Sequence, residues 1–294
     1  MRIMTSNIWG NFFNNPPELR EEMLYRIYKK YNPDVIGFQE AAQGWYDVEL
    51  FQKLSSEYNL IGTAYSNNTN STPIAIKHEY KVISYGYEQL ENTPDVSKAI
   101  TWAVLEKDAK RYAVCNTHFW WMRGTEPDEL KKFLGVYDYT FEDHCELRSR
   151  NAEQLSELMK HLYKKYSCPV FAIGDMNATV TEGLFEVFDR NEIKHFYYLT
   201  QNRDNVCSVH ADPIKGDDGF FHSEPATREF IKDFRENVLF LSPDETDDFH
   251  LTSIDHILGL GDNFDVLQYR VIEEDDAVNA SDHSPVYVDV NITQ

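Results

Sequence analysis

Residues 169–178 of the chain read PVFAIGDMNA, and this stretch decides the fold. A short apolar run that ends at a glycine is typical of a buried central strand. Asp175 and Asn177 follow directly, so the strand end carries one group that can hold a charge or a proton and one that donates and accepts hydrogen bonds. A simple turn after the strand would use the same two residue types. Other parts of the chain must therefore decide between a turn and a functional site.

The composition favours one acidic globular domain. The chain has 294 residues, of which 42% are hydrophobic, enough to bury a large core. No linker, repeat or low-complexity tract divides it, so residues 1–294 are predicted to form a single domain. Lysine and arginine number 28 against 49 acidic residues, which gives a formal net charge of −21. This balance disfavours tight nonspecific binding to nucleic acid, and the excess of acids suggests a bound cation among clustered carboxylates.

Cysteine spacing and hydropathy limit the class of protein further. The four cysteines form no Cys-x-x-Cys pair, so small buried thiols are predicted rather than a disulfide framework or a cysteine zinc site. The chain start has no long apolar segment, and no later run approaches about 18 apolar residues. A cytoplasmic protein without a transmembrane segment is therefore predicted, and its oligomeric state is left open.

Hydrophobic periodicity predicts a mixture of strands and helices. Apolar residues recur at helical spacing in Glu18–Tyr31 and Glu146–Tyr166. Ten strands are predicted: Ile3–Ile8, Val35–Gln39, Thr72–Lys77, Lys81–Leu90, Ile100–Glu106, Arg111–Thr117, Val170–Ile173, Ser253–Leu260, Val266–Ile272 and Val286–Asn291. Several neighbours have no helix between them, which indicates an α/β fold with mixed sheets and hairpins rather than a purely parallel sheet.

Polar clusters stand beside six of these strands. They are Ser6-Asn7-Ile8-Trp9, Gln39-Glu40, Asn116-Thr117-His118, Gly174-Asp175-Met176-Asn177, Ser253-Ile254-Asp255-His256 and Ser281-Asp282-His283. Six such clusters in one domain are difficult to attribute to turns alone. Because packed strands bring their ends to one rim of a sheet, these side chains are expected to converge.

The six clusters, in this order and across nearly the whole chain, resemble the motifs of the endonuclease/exonuclease/phosphatase superfamily, the metal-dependent phosphoesterases that include pancreatic deoxyribonuclease. Each motif alone is weak, and the six in order carry the resemblance. It implies a four-layer α/β/β/α sandwich with the site at one rim. It also implies an enzyme that hydrolyses a phosphodiester or phosphomonoester by in-line attack of water, with one Mg²⁺ or Mn²⁺.

The residue types agree with a metal site of this kind. Glu40 is a hard oxygen ligand, and Mg²⁺ usually takes one or two carboxylates while keeping several waters. Glu40, Asn7 and Asp282 therefore form the predicted metal-ligand set. Such an ion would neutralise charge on the phosphoryl oxygens while the protein holds the nucleophile in line.

The resemblance also assigns catalytic roles. His283 is the predicted base, paired with Asp255, which would fix its tautomer and raise its basicity. Asp175 competes with His283 for handling the proton, and the sequence does not separate the two. His118 and Asn177 would donate hydrogen bonds to phosphoryl oxygens. Some members of the superfamily carry a carboxylate before the strand Thr72–Lys77 that orients the first histidine. The loop before that strand has no carboxylate here, and Asn70 is the suggested substitute as partner of His118.

The substrate must be selected by loops, since the motifs themselves contact only a phosphate. Trp9 and Trp120 are predicted to contact substrate, although buried packing suits the aromatic cluster around Trp120 equally well. Three functions stay open: a hydrolase of a small or lipid-like phosphoester, a DNA or RNA nuclease, and a catalytically silent binding module. The acidic balance favours the first. Of the remaining histidines, His195 is predicted to be a packing or surface residue, and His250 and His256 are left undecided.

Overall fold

The computed structural model describes residues 1–11, 14–63, 70–91, 93–224, 227–238 and 248–293. Fourteen strands occur in this part of the chain: β1 (Arg2–Asn7), β2 (Val35–Gln39), β3 (Tyr58–Ile61), β4 (Ile74–Lys77), β5 (Lys81–Gln89), β6 (Ala99–Lys107), β7 (Lys110–His118), β8 (Val170–Asp175), β9 (Lys194–His195), β10 (Ala211–Lys215), β11 (Phe221–Glu224), β12 (Asp255–Leu260), β13 (Phe264–Val271) and β14 (Val286–Ile292).

Helices connect the strands. The α-helices are α1 (Glu21–Tyr31), α2 (Gln43–Asp47), α3 (Leu50–Leu54), α4 (Asp128–Phe133), α5 (Phe141–Tyr166), α6 (Leu184–Arg190), α7 (Phe196–Leu199), α8 (Arg228–Asp233) and α9 (Asp275–Ala280). Shorter helical segments lie at Pro17–Leu19, Phe234–Val238 and Phe249–Thr252. No helix among the described residues is long and apolar enough to cross a membrane.

Two six-stranded sheets pack face to face. The first has the strand order β13-β14-β1-β2-β4-β3 and the second the order β5-β6-β7-β8-β12-β9. Residues of both sheets, such as Ile3 and Ile173, share one buried cluster between them. The outer face of the first sheet packs on α1 and its neighbours through Ile36 and Leu24. The outer face of the second packs on α5 through Ala172 and Leu155, which completes the four-layer α/β/β/α sandwich.

The ten predicted strands are all present, and the two predicted helices differ at their starts. Helix α5 begins at Phe141, five residues before Glu146, because Thr140 and Asp143 cap each other's backbone N–H groups there. The first predicted helix is divided into a short 3₁₀ turn, Pro17–Leu19, and α1. Arg20 lies at the break, and its buried guanidinium donates to four main-chain carbonyl groups of neighbouring segments.

Strand direction brings the polar clusters to one rim. Strands β1 and β2 run parallel, as do β7 and β8, so the carboxyl ends of all four lie on the same side. Strands β12 and β14 run antiparallel to β8 and β1, so their amino ends reach that same side. In the register of the second sheet, Asp175 pairs with both His118 and Asp255.

A glycine allows β7 and β8 to approach each other at this rim. Gly174 has a φ of +152°, and a Cβ atom at this position would lie 2.1 Å from the Thr117 carbonyl oxygen. A larger residue would push the two strands apart just before Asp175. The glycine of the opening motif is therefore required by the sheet itself.

Candidate active site

Asp175 lies at the centre of the convergent side chains. Its Oδ2 atom accepts a hydrogen bond from Asn7 Nδ2 at 3.0 Å and lies 3.5 Å from His118 Nε2 and 3.9 Å from His283 Nε2. Its Oδ1 atom accepts from the backbone N–H of Asn177 at 2.8 Å. Burial raises the pKa of Asp175 to about 6, and the facing His283 opposes the increase. Four of the predicted motifs thus meet at one carboxylate.

Asp255 and His283 form a hydrogen-bonded pair. His283 Nδ1 donates to Asp255 Oδ2 at 2.8 Å, and both residues are buried. Burial by itself would lower the pKa of His283, but the Asp255 carboxylate outweighs it and the pKa lies well above its usual value. The pair therefore fixes the proton on Nδ1 and directs Nε2 toward Asp175.

Glu40 and Asn7 lie next to each other at the ends of β2 and β1. Glu40 Oε1 accepts from Asn7 Nδ2 at 3.2 Å, and Oε2 accepts from the Gly10 N–H at 2.7 Å. Glu40 has a φ of +57°, a left-handed conformation that is uncommon for a residue with a side chain. The backbone is held in this conformation where the carboxylate enters the rim.

Asp282 is close enough to Glu40 to interact with it electrostatically. Burial raises the pKa of Asp282 to about 7, and the negative charge of Glu40 adds to the increase. Carboxylate and amide oxygens are the donors that a hard divalent cation prefers. Asn7 directs Nδ2 toward Glu40, and its Oδ1 accepts from the Trp9 N–H at 3.0 Å, so the amide would have to rotate about χ2 to present its oxygen to an ion. The possible ligand atoms of Glu40, His118 and Asp175 all lie within 4.8 Å of one another, and Asp282 is not part of that group. The assignment of Glu40, Asn7 and Asp282 as metal ligands stays a prediction.

Lys98 is a site residue that the sequence analysis missed. Its Nζ atom lies 2.8 Å from His118 Nε2, and the side chain is buried. Burial and the neighbouring ammonium group together lower the pKa of His118 well below its usual value, so His118 is neutral. The suggested partner, Asn70, is wrong: its amide donates to Thr101 Oγ1 at 2.6 Å instead. A lysine has no motif of its own that would have identified it.

A second missed group supports the Asp255–His283 pair from behind. Ser208 Oγ donates to Asp255 Oδ2 at 2.7 Å. Both ring nitrogens of His210 form hydrogen bonds, and Nε2 lies 2.8 Å from Ser284 Oγ. These residues lie in the polar stretch between α7 and β12, where sequence spacing gives no periodic signal. They fix the segment that carries His283.

Asn177 lies at the rim, as predicted, but its amide is partly engaged. Asn177 Nδ2 donates to the Phe119 carbonyl at 3.1 Å. The main-chain carbonyl of Asn177 accepts from Arg123 Nη2 at 2.6 Å. The residue has a φ of +49°, so the turn after β8 is left-handed at this point. Among the residues that the structure describes, the amide oxygen and the second N–H bond of Asn177 have no hydrogen-bond partner, which leaves both for a ligand.

The two tryptophans predicted to contact substrate are buried. Trp9 is 1% exposed and packs under the Arg20 guanidinium, and Trp120 is fully buried with its indole N–H donating to His144 Nδ1 at 2.9 Å. Neither ring offers a face to a ligand, so the structure contradicts their assignment as substrate-stacking residues. The alternative of buried packing holds for the cluster around Trp120.

The sequence of the chain matches the model of the Endonuclease/Exonuclease/phosphatase family over residues 4–283. The chain belongs to this family. Membership makes it an enzyme of the metal-dependent phosphoesterases. No curated protein matches the chain in sequence.

Solved structures of the endonuclease/exonuclease/phosphatase family share the fold of this member. An endonuclease/exonuclease/phosphatase protein from Bacteroides vulgatus is 19% identical, with a TM-score of 0.67 over 99% of this chain and 98% of that one. A mannosyl-6-phosphatase from Bacteroides thetaiotaomicron is 15% identical, with a TM-score of 0.67 over 99% and 100%. TDP2 from Caenorhabditis elegans is 14% identical, with a TM-score of 0.66 over 99% and 75%. At these identities the likeness establishes the mixed α/β fold.

Proposed function

We propose that this enzyme hydrolyses a small or lipid-like phosphoester, a diester or a monoester, by in-line attack of water. The observation that carries the proposal is the meeting of Asn7, His118 and His283 around Asp175, with contacts of 3.0 to 3.9 Å. Every acid and histidine that the chemistry needs is present, which argues against a silent binding module. The neighbouring mannosyl-6-phosphatase agrees with a small substrate.

His283 acts as the general base in this proposal, in the neutral form that it takes above its raised pKa. Asp255 holds the proton on Nδ1, so Nε2 is the atom that takes a proton from the attacking water. Asp175 accepts two hydrogen bonds as a carboxylate and lies between the two histidines, which suits it to orient the water. Asn177 donates to a phosphoryl oxygen through its second N–H bond.

The metal belongs beside Glu40, Asn7 and Asp282. A single Mg²⁺ or Mn²⁺ held by these oxygen donors would neutralise charge on the phosphoryl oxygens and on the leaving alkoxide. The protein contributes positioning, since the left-handed backbone at Glu40 and the Gly10 N–H fix the carboxylate before the ion arrives.

Lys98 supplies positive charge to the phosphoryl group in this proposal, although burial lowers the pKa of its ammonium group. Replacing it with methionine is expected to lower kcat/KM by about 10²-fold, because a charged donor acts most strongly on charge that develops in the transition state. Lys98→Arg should retain most activity, and Lys164→Met on the exposed face of α5 should retain all of it. Steady-state kinetics would test this. A loss of folding without loss of activity in the folded fraction would contradict the role.

Charge argues for a small substrate over a polymer. The chain carries a net charge of −21, and the two tryptophans predicted to contact substrate are buried, so they cannot stack on the bases of a nucleic acid. Polymer binding draws on many phosphate contacts, and its affinity falls steeply with salt. A small phosphoester needs only the charges at the rim.

A substrate panel tests the proposed function directly. The panel contains a bis-aryl phosphodiester, a sugar phosphate, a phospholipid dispersion, and single- and double-stranded oligonucleotides, each assayed with Mg²⁺, Mn²⁺ and a chelator. We expect the highest kcat/KM on a small or lipid-like ester, with little dependence on salt. Preferred cleavage of an oligonucleotide, with KM rising steeply with salt, would assign a nuclease instead. Absence of turnover on every substrate would contradict the enzyme assignment.

A further inference from the structure

Three histidines form a second cluster, separate from the active site. His195 on β9 is 9% exposed, and His250 in the segment Phe249–Thr252 and His256 on β12 are fully buried. Each offers one nitrogen atom, and these atoms all lie within 4.8 Å of one another. The three side chains come from different segments of the chain. They meet next to the end of β12 that carries Asp255.

Two of the imidazoles are hydrogen-bonded, and the third has no hydrogen-bond partner in the part of the chain that the structure describes. His195 Nδ1 accepts from the Tyr197 N–H, His195 Nε2 lies 2.9 Å from His256 Nδ1, and His256 Nε2 donates to the Ala178 carbonyl at 2.8 Å. Neither ring nitrogen of His250 has a hydrogen-bond partner among the described residues, although both are buried. An unpaired buried imidazole is unfavourable and calls for an explanation such as a bound ion.

Two of the three ring-to-ring distances match those of a metal site, and the third is longer. The ring centroid of His195 lies 5.0 Å from that of His256 and 5.3 Å from that of His250, and the remaining pair is 6.2 Å apart. Imidazoles bound at about 2.0–2.1 Å to one tetrahedral ion place their centroids about 5 Å apart. The rings also stand at 73–90° to one another, so their nitrogen atoms can face a common point without the rings colliding.

The chemistry of the cluster selects zinc over magnesium. All three donors are imidazoles, and burial lowers the pKa of each, so that they are neutral and able to act as ligands. Nitrogen donors suit Zn²⁺, whereas Mg²⁺ requires oxygen donors. The aromatic ring of Tyr197 stacks on His250 at 3.5 Å and holds it in place.

We propose that His195, His250 and His256 bind one Zn²⁺ ion. The ligands are His195 Nε2, His256 Nδ1 and one ring nitrogen of His250, with water in the fourth position. The imidazoles stay neutral: the His195 proton moves from Nε2 to Nδ1, and the hydrogen bond from the Tyr197 N–H is given up. The ion would connect the segment Phe249–Thr252, through His250, to strands β9 and β12 of the second sheet.

Zinc binding to the full-length chain tests the proposal. Chelator-treated protein is titrated with Zn²⁺ against a chromophoric competitor, in excess Mg²⁺ so that the rim carboxylates are occupied. We expect one tight site per chain in the wild type and in Glu40→Gln. His250→Phe keeps the stacking on Tyr197 and should weaken binding by more than about 100-fold. His161→Phe, on the exposed face of α5, is the matched control and should bind normally.

Thermal unfolding separates a ligand from a packing residue. Saturating Zn²⁺ should raise the Tm of the wild type and of the His161→Phe control by at least about 5 °C, and should leave His250→Phe unchanged. If the cluster only packs, His250→Phe removes two unpaired buried nitrogens, so it should be as stable as the wild type, and zinc should shift neither protein. A zinc site that is lost in Glu40→Gln and kept in His250→Phe would also overturn the proposal.

Discussion

Replacing His283 with alanine is expected to lower kcat/KM by about 10³-fold, because a positioned general base contributes roughly 10²–10⁴-fold. His283 Nε2 faces Asp175 at 3.9 Å, while Nδ1 is fixed by Asp255 at 2.8 Å, so the variant removes the atom proposed to accept the proton of water. The effect should fall mainly on kcat, since the histidine acts on the transition state rather than on substrate binding. Steady-state kinetics on the preferred substrate of the panel measure it.

The pairing of His283 with Asp255 provides a sharper control. Asp255→Asn should cost nearly as much as His283→Ala, and the double variant should cost little more than either, because residues that act as one unit are not additive. His161→Ala, on the exposed face of α5, should match the wild type. Additive losses, or a His283→Ala variant within threefold of the wild type, would show that the proton is handled elsewhere, with Asp175 the alternative.

The central strands could be predicted because burial on both faces leaves a continuous apolar run. Val170–Ile173 is such a run, and the structure places it in the middle of the second sheet between β7 and β12. Short elements could not be predicted because they contain too few residues to form a pattern. Strand β9 has two residues and α7 has four, and neither is long enough to repeat a hydrophobic period.

The site could be predicted only where motifs mark strand ends. Asp175, Asp255 and His118 are neighbours because register aligns them, and a sequence motif records each position. Lys98 and Ser208 reach the same site through contacts between segments distant in sequence, and no local pattern records such a contact. The burial of Trp9 could not be predicted from the sequence either, because a tryptophan at the end of a strand can face the solvent or the core.

The charge of Glu40 is expected to be essential, so Glu40→Gln should lower activity at moderate Mg²⁺ by about 10³-fold, or roughly 4 kcal/mol of activation free energy. Glutamine keeps the size of the side chain and can still accept from the Gly10 N–H, but it removes the charge that attracts the cation. Half-maximal activation should therefore require more Mg²⁺ than in the wild type. Activity measured against Mg²⁺ concentration, after chelator treatment, tests this expectation.

Stability distinguishes a metal ligand at position 40 from a structural residue. Glu40 raises the pKa of Asp282, so the two carboxylates repel each other without a cation. Removing the Glu40 charge relieves this repulsion and also loses the attraction of Glu40 to Arg20 and Lys98, so the metal-free variant should have a Tm close to that of the wild type. A structural role predicts a clearly lower Tm. The exposed Glu129→Gln variant should change neither activity nor Tm. If Glu40→Gln is inactive only because it unfolds, or is active at wild-type Mg²⁺ concentrations, the rim metal site does not include Glu40.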